Sequence, residues 1–333
     1  MLAINSVLEK VNTSIKTTGF QLILFLVIQL TGLMLAVASL HYIQVREQQL
    51  ADMRLHYQNT VLRSNVVDQF EMLEAFADDL RYKLTVVSPW WNQSPDTGHL
   101  LLKSHILKTV PMVNRIQIFD KEGNMKFSSA NYPVPPVNVS DRPYFLEMKT
   151  KGIDQLHFGP YIGRTFNRLT YSIIHKLVNE RGVFIGVLLV AVDVDQFGTF
   201  CKNAVYSDSY DAVVLNPANE VIVWCSYNSV HKEAFSKPFI ETKIGKGVTN
   251  VQLDQITLMN IDTPEYVLKI NNISSYSGLK VITSVSKQGA YASMNALIWQ
   301  NYMLLMVGLL SQTICFMMFN NSLKIKKSTP LPE

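Results

Sequence analysis

Apolar residues follow three rhythms along this chain, and each rhythm implies a different kind of element. Two stretches are apolar almost without interruption: 20–43 (FQLILFLVIQLTGLMLAVASLHYI) and 296–319 (ALIWQNYMLLMVGLLSQTICFMMF), neither holding an Asp, Glu, Lys or Arg. Each exceeds the roughly 20 residues that a helix needs to cross a bilayer, so both are expected to be membrane spans. Gln300 and Asn301 move the effective start of the second towards Tyr302, where Trp299 and Tyr302 suit an interfacial belt. Ala36-Val37-Ala38 resembles a signal-peptidase site. The apolar stretch is too long for a signal h-region, so a retained anchor is expected instead.

The second rhythm is helical. From Leu33 to Ser88 neither Gly nor Pro occurs, and Met53, Tyr57, Val66, Phe70, Leu73, Ala77, Leu80 and Leu84 recur at three-to-four spacing. Asp52, Arg63, Glu71, Glu74 and Asp78 fall on the opposite face, so the Asp78-Asp79 pair reads as solvated surface. One long helix over 44–88 is predicted, stopping near Pro89 and reaching roughly 60 Å beyond the bilayer at 1.5 Å per residue.

The third rhythm is the short alternation of strands. Arg115–Asp120 and Met125–Ser129 flank a turn at 121–124, and Leu169–Leu177 and Val183–Val192 flank another at 179–182. The Pro-rich segment 132–139 reads as a loop, and Ser140-Asp141 as a helix start with Pro143 in the first turn. A second set follows at Asp211–Asn216, Val221–Ser226, Asn250–Leu258, Glu265–Asn271 and Leu279–Ser286, then a helix over Lys287–Asn295. Two antiparallel sheets in series after a long helix make an α+β chain. The implied division is 1–19 tail, 20–43 span, 44–88 helix, 89–203 first lobe, 204–288 second lobe, 289–319 helix and span, and 320–333 tail.

Charge sets the orientation. Lys324, Lys326 and Lys327 crowd the far side of the second span, which marks that end as cytoplasmic; two spans then put both termini inside and the central region outside. A net charge of +4 without a basic tract gives no footing for nucleic acid. Cys315 lies in the second span, whereas Cys201 and Cys225 fall in the exported region, where a disulfide between them can form. The seven histidines show no metal-ligand spacing, and His99 and His105 read as surface residues. Gly245-Lys246-Gly247 lacks the spacing of a phosphate loop, and no nucleophile elbow occurs, so no enzyme, metal or cofactor is expected.

Three phrases stand in order: Ser-Asp-Arg-Pro-Tyr-Phe at 140–145, Phe-Gly-Pro-Tyr-Ile-Gly-Arg at 158–164 and Asp-Val-Asp-Gln-Phe at 193–197. Together they resemble the double Cache sensor domain of bacterial chemoreceptors, histidine kinases and diguanylate cyclases. The resemblance implies two PAS-like lobes, a ligand pocket in the membrane-distal one and a relay in the other. It implies that Arg142 holds a ligand carboxylate, that Tyr144, Phe145 and Tyr161 wall the pocket, and that Asp193 takes an amine. Tyr144 and Phe145 stand where the amino-acid-binding branch has Trp and Tyr, which widens the expected ligand to small anions and zwitterions. A guanidinium pairs a carboxylate through two parallel bonds, and a closed pocket needs such a partner for a buried charge. The alternative is that Arg142 and Asp193 pair as scaffold, with each other or with Asp141 and Asp195. Arg164 is expected to brace the pocket loop. The chain therefore reads as a sensor in the bacterial cytoplasmic membrane, with a small-molecule ligand, a homodimer or a separate membrane signalling protein as partners. The rival readings are the sensory part of a diguanylate cyclase or kinase, and a surface protein that captures ligand without signalling.

Overall fold

The computed structural model describes residues 2–87, 89–106, 112–165, 167–194, 201, 205–227, 229–254, 259–273, 278–290 and 292–328, excluding the side chains of 2–22, 193, 259, 292–294 and 319–328. The chain forms two compact units, Met1–Asp52 with Ala290–Glu333, and Met53–Gly289.

The first unit is built from the N-terminal part of α1 (Leu2–Tyr82) and from α6 (Ala292–Ser328). Both helices contain a stretch long and apolar enough to cross a membrane. Phe25 stacks on Phe316 with ring centroids 4.4 Å apart, and Gln29 donates to Gln312 at 2.8 Å. A glutamine in hydrocarbon needs such a partner, because nothing else there satisfies its amide.

The second unit holds two antiparallel sheets backed by the rest of α1. The first sheet runs β2-β1-β5-β4-β3, with β1 Val113–Asp120, β2 Met125–Ser128, β3 Gln155–Ile162, β4 Leu169–Val178 and β5 Phe184–Asp193. Asp120 closes the β1–β2 turn by accepting from the backbone N–H groups of Glu122 and Asn124 at 3.1 and 2.8 Å. One face carries α3 (Pro143–Thr150), whose Tyr144, Phe145 and Met148 join Phe119, Ile174 and Leu189 in a buried cluster. The other face meets α1, where Phe70 lies edge-on to Tyr171 at 5.6 Å. Helix α2 (Pro95–Ile106) covers β1 and β2, with the His99 ring hydrogen-bonded to the Ser128 carbonyl at 2.7 Å. His99 and His105 are part-buried rather than surface residues, because the apolar face of α2 draws its neighbours against the sheet.

The second sheet runs β8-β7-β6-β11-β10-β9, with β6 Tyr210–Leu215, β7 Val221–Ser226, β8 Ser229–Val230, β9 Met259–Asp262, β10 Tyr266–Ile273 and β11 Leu279–Ser286. Helix α1 reaches this sheet too: Asn59 donates to the Lys269 carbonyl at 2.9 Å, and Thr283 donates to the Leu55 carbonyl at 3.4 Å. Cys201 and Cys225 are joined by a disulfide with Cα atoms 5.9 Å apart, tying the segment between the lobes to β7.

Several expectations need correction. Met53 and Tyr57 are 58% and 68% exposed; Leu55, Asn59 and Leu62 carry the buried stripe instead. Three-to-four spacing fits either register, and only the second sheet selects one. Glu74 and Asp78 do not simply face solvent: Glu74 bonds His157 of β3 at 2.7 Å, and Asp78 lies 3.7 Å from His175 of β4. The helix is α-helical to Tyr82 and ends in a π-type turn at Lys83–Val87. The strand expected at Asn250–Leu258 is the short helix α4 (Asn250–Leu253), started by a reciprocal Thr249–Gln252 capping box, with 255–258 outside the described residues. Helix α5 (Lys287–Ala290) precedes α6. The residue at the N-cap position of α3 is Arg142, whose side chain makes no capping hydrogen bond, with Pro143 following, rather than Ser140 or Asp141.

Candidate functional site

The pocket of the first lobe is assembled from four elements. Residues i and i+2 of a strand share a face, so Arg115, Gln117 and Phe119 of β1 all project towards α3. The register continues that surface across the sheet: Arg115 pairs with Ala191, Gln117 with Leu189, and Tyr161 with Thr170. These residues line one small cavity, closed from above by the start of α3 and by the turn at Gly163–Thr165. The cavity volume is about 20 Å³, room for about one water molecule. A ligand of amino-acid size therefore needs a wall to move.

Arg142, Tyr144, Tyr161 and Arg164 are brought together around this cavity. Arg142 donates to the Ile162 carbonyl at 3.3 Å, so the guanidinium lies across the end of β3. The neighbouring carboxylate of Asp141 is engaged elsewhere: both its oxygens accept from Arg164, one at 2.8 Å, and Arg164 also donates to the Asn138 carbonyl at 2.6 Å. The Arg164–Asp141 pair is exposed at the mouth, with side chains 38% and 62% accessible. Its hydrogen bond to Arg164 holds the Asp141 carboxyl below the usual range. Phe145 is not among the lining residues; it is 1% exposed and packs edge-on against Phe184 at 5.9 Å. Successive positions on a helix point about 100° apart, and here Tyr144 takes the cavity side while Phe145 turns into the core. Asp193 ends β5 in register with Thr170, and its side chain lies outside the described positions, as does Asp195.

The two tyrosines are neutral donors. Burial lifts the Tyr144 phenol far above its ordinary range. Burial also pushes Tyr161 up, to about 12, while a hydrogen bond with Ser172 and the charges of Arg142 and Arg115 pull it down. The Tyr161 hydroxyl is 2.8 Å from the Ser172 hydroxyl, and the Tyr144 and Tyr161 rings lie 5.9 Å apart. Gln117, 5% exposed, donates to Thr165 at 3.2 Å and tethers the covering turn to the floor.

Sequence reasoning missed Arg115, Gln117 and Thr165. The signal for the first two was present in RIQIFD, where a charge and an amide alternate with Ile on a strand with no solvent-facing edge. Central-strand polar residues two apart point at something polar between sheet and helix.

No family model matches the sequence, and no curated protein matches it significantly. Solved structures do. The extracellular domain of rpHK1S-Z16, described as a histidine kinase, aligns with a TM-score of 0.57 at 17% identity over 72% of this chain and 95% of that one. The ligand-binding domain of the Pseudomonas aeruginosa PAO1 amino acid chemoreceptor PctB, in complex with L-Arg, gives 0.55 at 17% identity over 73% of this chain and 90% of that one. That of the Pseudomonas fluorescens chemoreceptor CtaA, in complex with L-isoleucine, gives 0.52 at 12% identity over 76% and 98%. The fold is that of a double Cache domain.

The double Cache fold accounts for the tandem arrangement: each lobe is one antiparallel sheet, and the single helix α1 backs both. The lobes also touch directly. Asn216, beyond β6, donates to the Gly159 carbonyl at 3.0 Å, and Ser236 donates to the Pro160 carbonyl at 3.2 Å. These carbonyls sit immediately before Tyr161, in the irregular stretch of β3 between Phe158 and Tyr161. Gly159 makes the stretch accessible: its φ is +135°, and a Cβ there would lie 2.9 Å from the Thr170 carbonyl oxygen.

Proposed function

We propose that this chain is the input module of a membrane-bound sensor, exporting its double Cache domain to bind a small anionic or zwitterionic ligand in the first-lobe pocket. The observation that carries this reading is the convergence of Arg142, Tyr144 and Tyr161, from a helix N-terminus and an edge strand, on one cavity. A guanidinium and two neutral phenols offer donors to a carboxylate, with Leu189 and Ala191 as apolar floor. PctB and CtaA, bound to amino acids in their structures, support a ligand of that size. The ligand enters when the Arg164–Asp141 pair parts. The relay runs through β3, whose Tyr161 faces ligand while its Gly159 and Pro160 carbonyls hold the second lobe, and through α1, which backs both sheets. A ligand that favours one arrangement of these parts shifts the balance between them.

The test is a thermal-shift screen of the 333-residue chain in detergent against amino acids, amines and small carboxylates, repeated with Arg142→Ala. Loss of one partner of a buried charged hydrogen bond costs about 2–5 kcal/mol, or roughly 30-fold to several thousand-fold in affinity. The expected result is a folded Arg142→Ala protein that no longer responds to the wild-type ligand. An unchanged response puts the pocket elsewhere.

A further inference from the structure

The second lobe carries a larger opening than the first. On its sheet Asp211 of β6 pairs with Ser226 of β7 on one side and Ser284 of β11 on the other, and paired residues of an antiparallel ladder share a face. Thr283, next to Ser284, donates to the Leu55 carbonyl of α1, so the row of Asp211 lies on the face turned away from α1. The first-lobe pocket occupies the same face of its own sheet, where Tyr171 meets α1 and Thr170 lines the cavity. In the second lobe that face opens into a cleft of about 530 Å³, against about 20 Å³ in the first, so a small molecule fits with no wall moving. Asp211 is fixed in the cleft: Trp224 Nε1 donates to its Oδ1 at 3.1 Å, and the Ser226 hydroxyl donates to the same oxygen. Its Oδ2 is left to accept from a ligand. Trp224 is steadied by the His231 ring, with centroids 4.4 Å apart. Beside Asp211 on this face the fully buried Ser284 hydroxyl makes no hydrogen bond among the described residues. The cleft already attracts one ammonium, since Lys243 Nζ sits 5.9 Å over the Tyr266 ring. A hydrogen bond to Tyr266 holds the Lys243 pKa above its ordinary value, and the charges of Glu265 and Asp211 act in the same direction. Among the described lining residues Asp208, Asp211, Glu233 and Glu241 outnumber Lys237 and Lys243, so the wall favours a cation over an anion.

We infer that the second-lobe cleft is a binding site for a small organic ammonium, its N–H groups on Asp211 and its carbon skeleton against Trp224 and Tyr266. The site is separate from the first-lobe pocket and stands whether or not that pocket takes a ligand. A carboxylate held by one oxygen beside an indole accepts a charge-assisted hydrogen bond while the ring faces attract the cation. Lys243 is the internal occupant: its ammonium competes for the same ring and the same charge, and an incoming amine displaces it. A zwitterion gains less here, because it brings a carboxylate into an acidic wall.

The experiment measures dissociation constants by titration calorimetry on the 333-residue chain in detergent at pH 7.5, with n-butylamine, L-alanine and acetate as probes. The amine should bind roughly 10-fold tighter than either of the others, the margin of one charged hydrogen bond. Asp211→Asn keeps an acceptor for Trp224 and Ser226 but removes the charge, and should weaken the amine by roughly 10-fold to 100-fold. Tyr266→Leu should weaken it by about threefold, whereas Tyr266→Phe keeps the ring and the affinity. Lys243→Gln withdraws the internal competitor and should tighten amine binding by about threefold, a gain that damage to the fold does not produce. Circular dichroism establishes that each variant is folded, and Lys243→Gln with the Tyr266 pair carries the test if Asp211→Asn is not. Amine binding indifferent to Asp211→Asn and Lys243→Gln overturns the inference. Amine binding lost in Arg142→Ala and kept in Asp211→Asn belongs to the first lobe and overturns it too, as does tighter binding of L-alanine or acetate than of the amine. No amine binding at about 10 mM, on the order of the weakest affinities worth measuring, overturns it and leaves the first-lobe reading untouched.

Discussion

Gly159 is the residue on which the pocket wall and the inter-lobe contact both depend. Its backbone conformation belongs to glycine, and the space a side chain needs is occupied by Thr170 and Tyr171 of β4. Gly159→Ala should destabilise the folded protein by about 1–3 kcal/mol, the range for a strained backbone position, and read out as a lower denaturation midpoint. An unchanged midpoint would mean that β3 relaxes freely and that its irregular stretch holds nothing in place. The neighbouring Phe145 illustrates the limit of a motif. In sequence it stands beside Tyr144 as an equal candidate, yet the turn of α3 sends it into the core against Phe184 while Tyr144 faces the cavity. Arg142→Ala should abolish ligand response, whereas Phe145→Ala should act as a core truncation, costing about 3–5 kcal/mol of stability. A folded Phe145→Ala protein of wild-type stability would show that this part of the lobe is loosely packed.

At the scale of elements, the contact between α1 and the first sheet holds His175 uncharged. His175 has a side chain 2% exposed, and burial lowers its pKa to about 4. The Asp78 carboxylate at 3.7 Å opposes that shift, but it is half exposed and solvent weakens it. A base whose folded pKa lies below its unfolded value of 6.5 contributes fully to stability above pH 6.5 and loses that contribution as pH falls towards 4. The whole window is worth about 3 kcal/mol at 1.36 kcal/mol per pH unit. Urea midpoints for residues 53–289 should therefore drop between pH 7 and pH 4.5, and His175→Gln should flatten the drop. Equal pH slopes in both proteins would dismiss His175 as its source. The same contact holds His157 against Glu74 at 2.7 Å, so α1 touches the pocket lobe through polar groups as well as through Phe70.

For the whole molecule, topology and the disulfide are linked. On the proposed topology Lys324, Lys326 and Lys327 lie on the cytoplasmic side of the second span and the central region lies outside, in the oxidising compartment that a disulfide needs. Single cysteines introduced in the central unit, in a background lacking the native three, should react with an impermeant maleimide in intact cells; cysteines near Lys10 or Ser328 should not. The reverse pattern would invert the protein. In wild-type protein, non-reducing mass spectrometry should find Cys201 linked to Cys225, and free thiols at both would remove the bridge. Closing a loop of 24 residues constrains the unfolded chain by about 3–4 kcal/mol in the chain-entropy picture, so reduction should lower the melting temperature by several degrees.

Much of this was determined by local pattern. An uninterrupted apolar stretch, a helical repeat without Gly or Pro, and alternating strands closed by Gly, Pro and Asn each encode their element within a dozen residues, because backbone geometry and turn chemistry act locally. The three phrases at 140–145, 158–164 and 193–197 went further and implied the double Cache arrangement, and the solved structures carry the same fold. What local pattern does not contain is which of several equivalent faces meets a neighbour. Met53 and Tyr57 fit the helical stripe as well as Leu55 and Leu62 do, and only the second sheet decides between them. Asn250–Leu253 has strand-like composition, and a capping box with the surrounding packing makes it a helix. Asp141 is adjacent to Arg142 in sequence, yet strand β3 delivers Arg164 to it across 23 residues. Arg115 and Gln117 become pocket residues only once β1 is central in its sheet with α3 lying over that face. Side-chain partnership at long range is a property of the packed chain, since burial, register and charge are settled together when the elements meet.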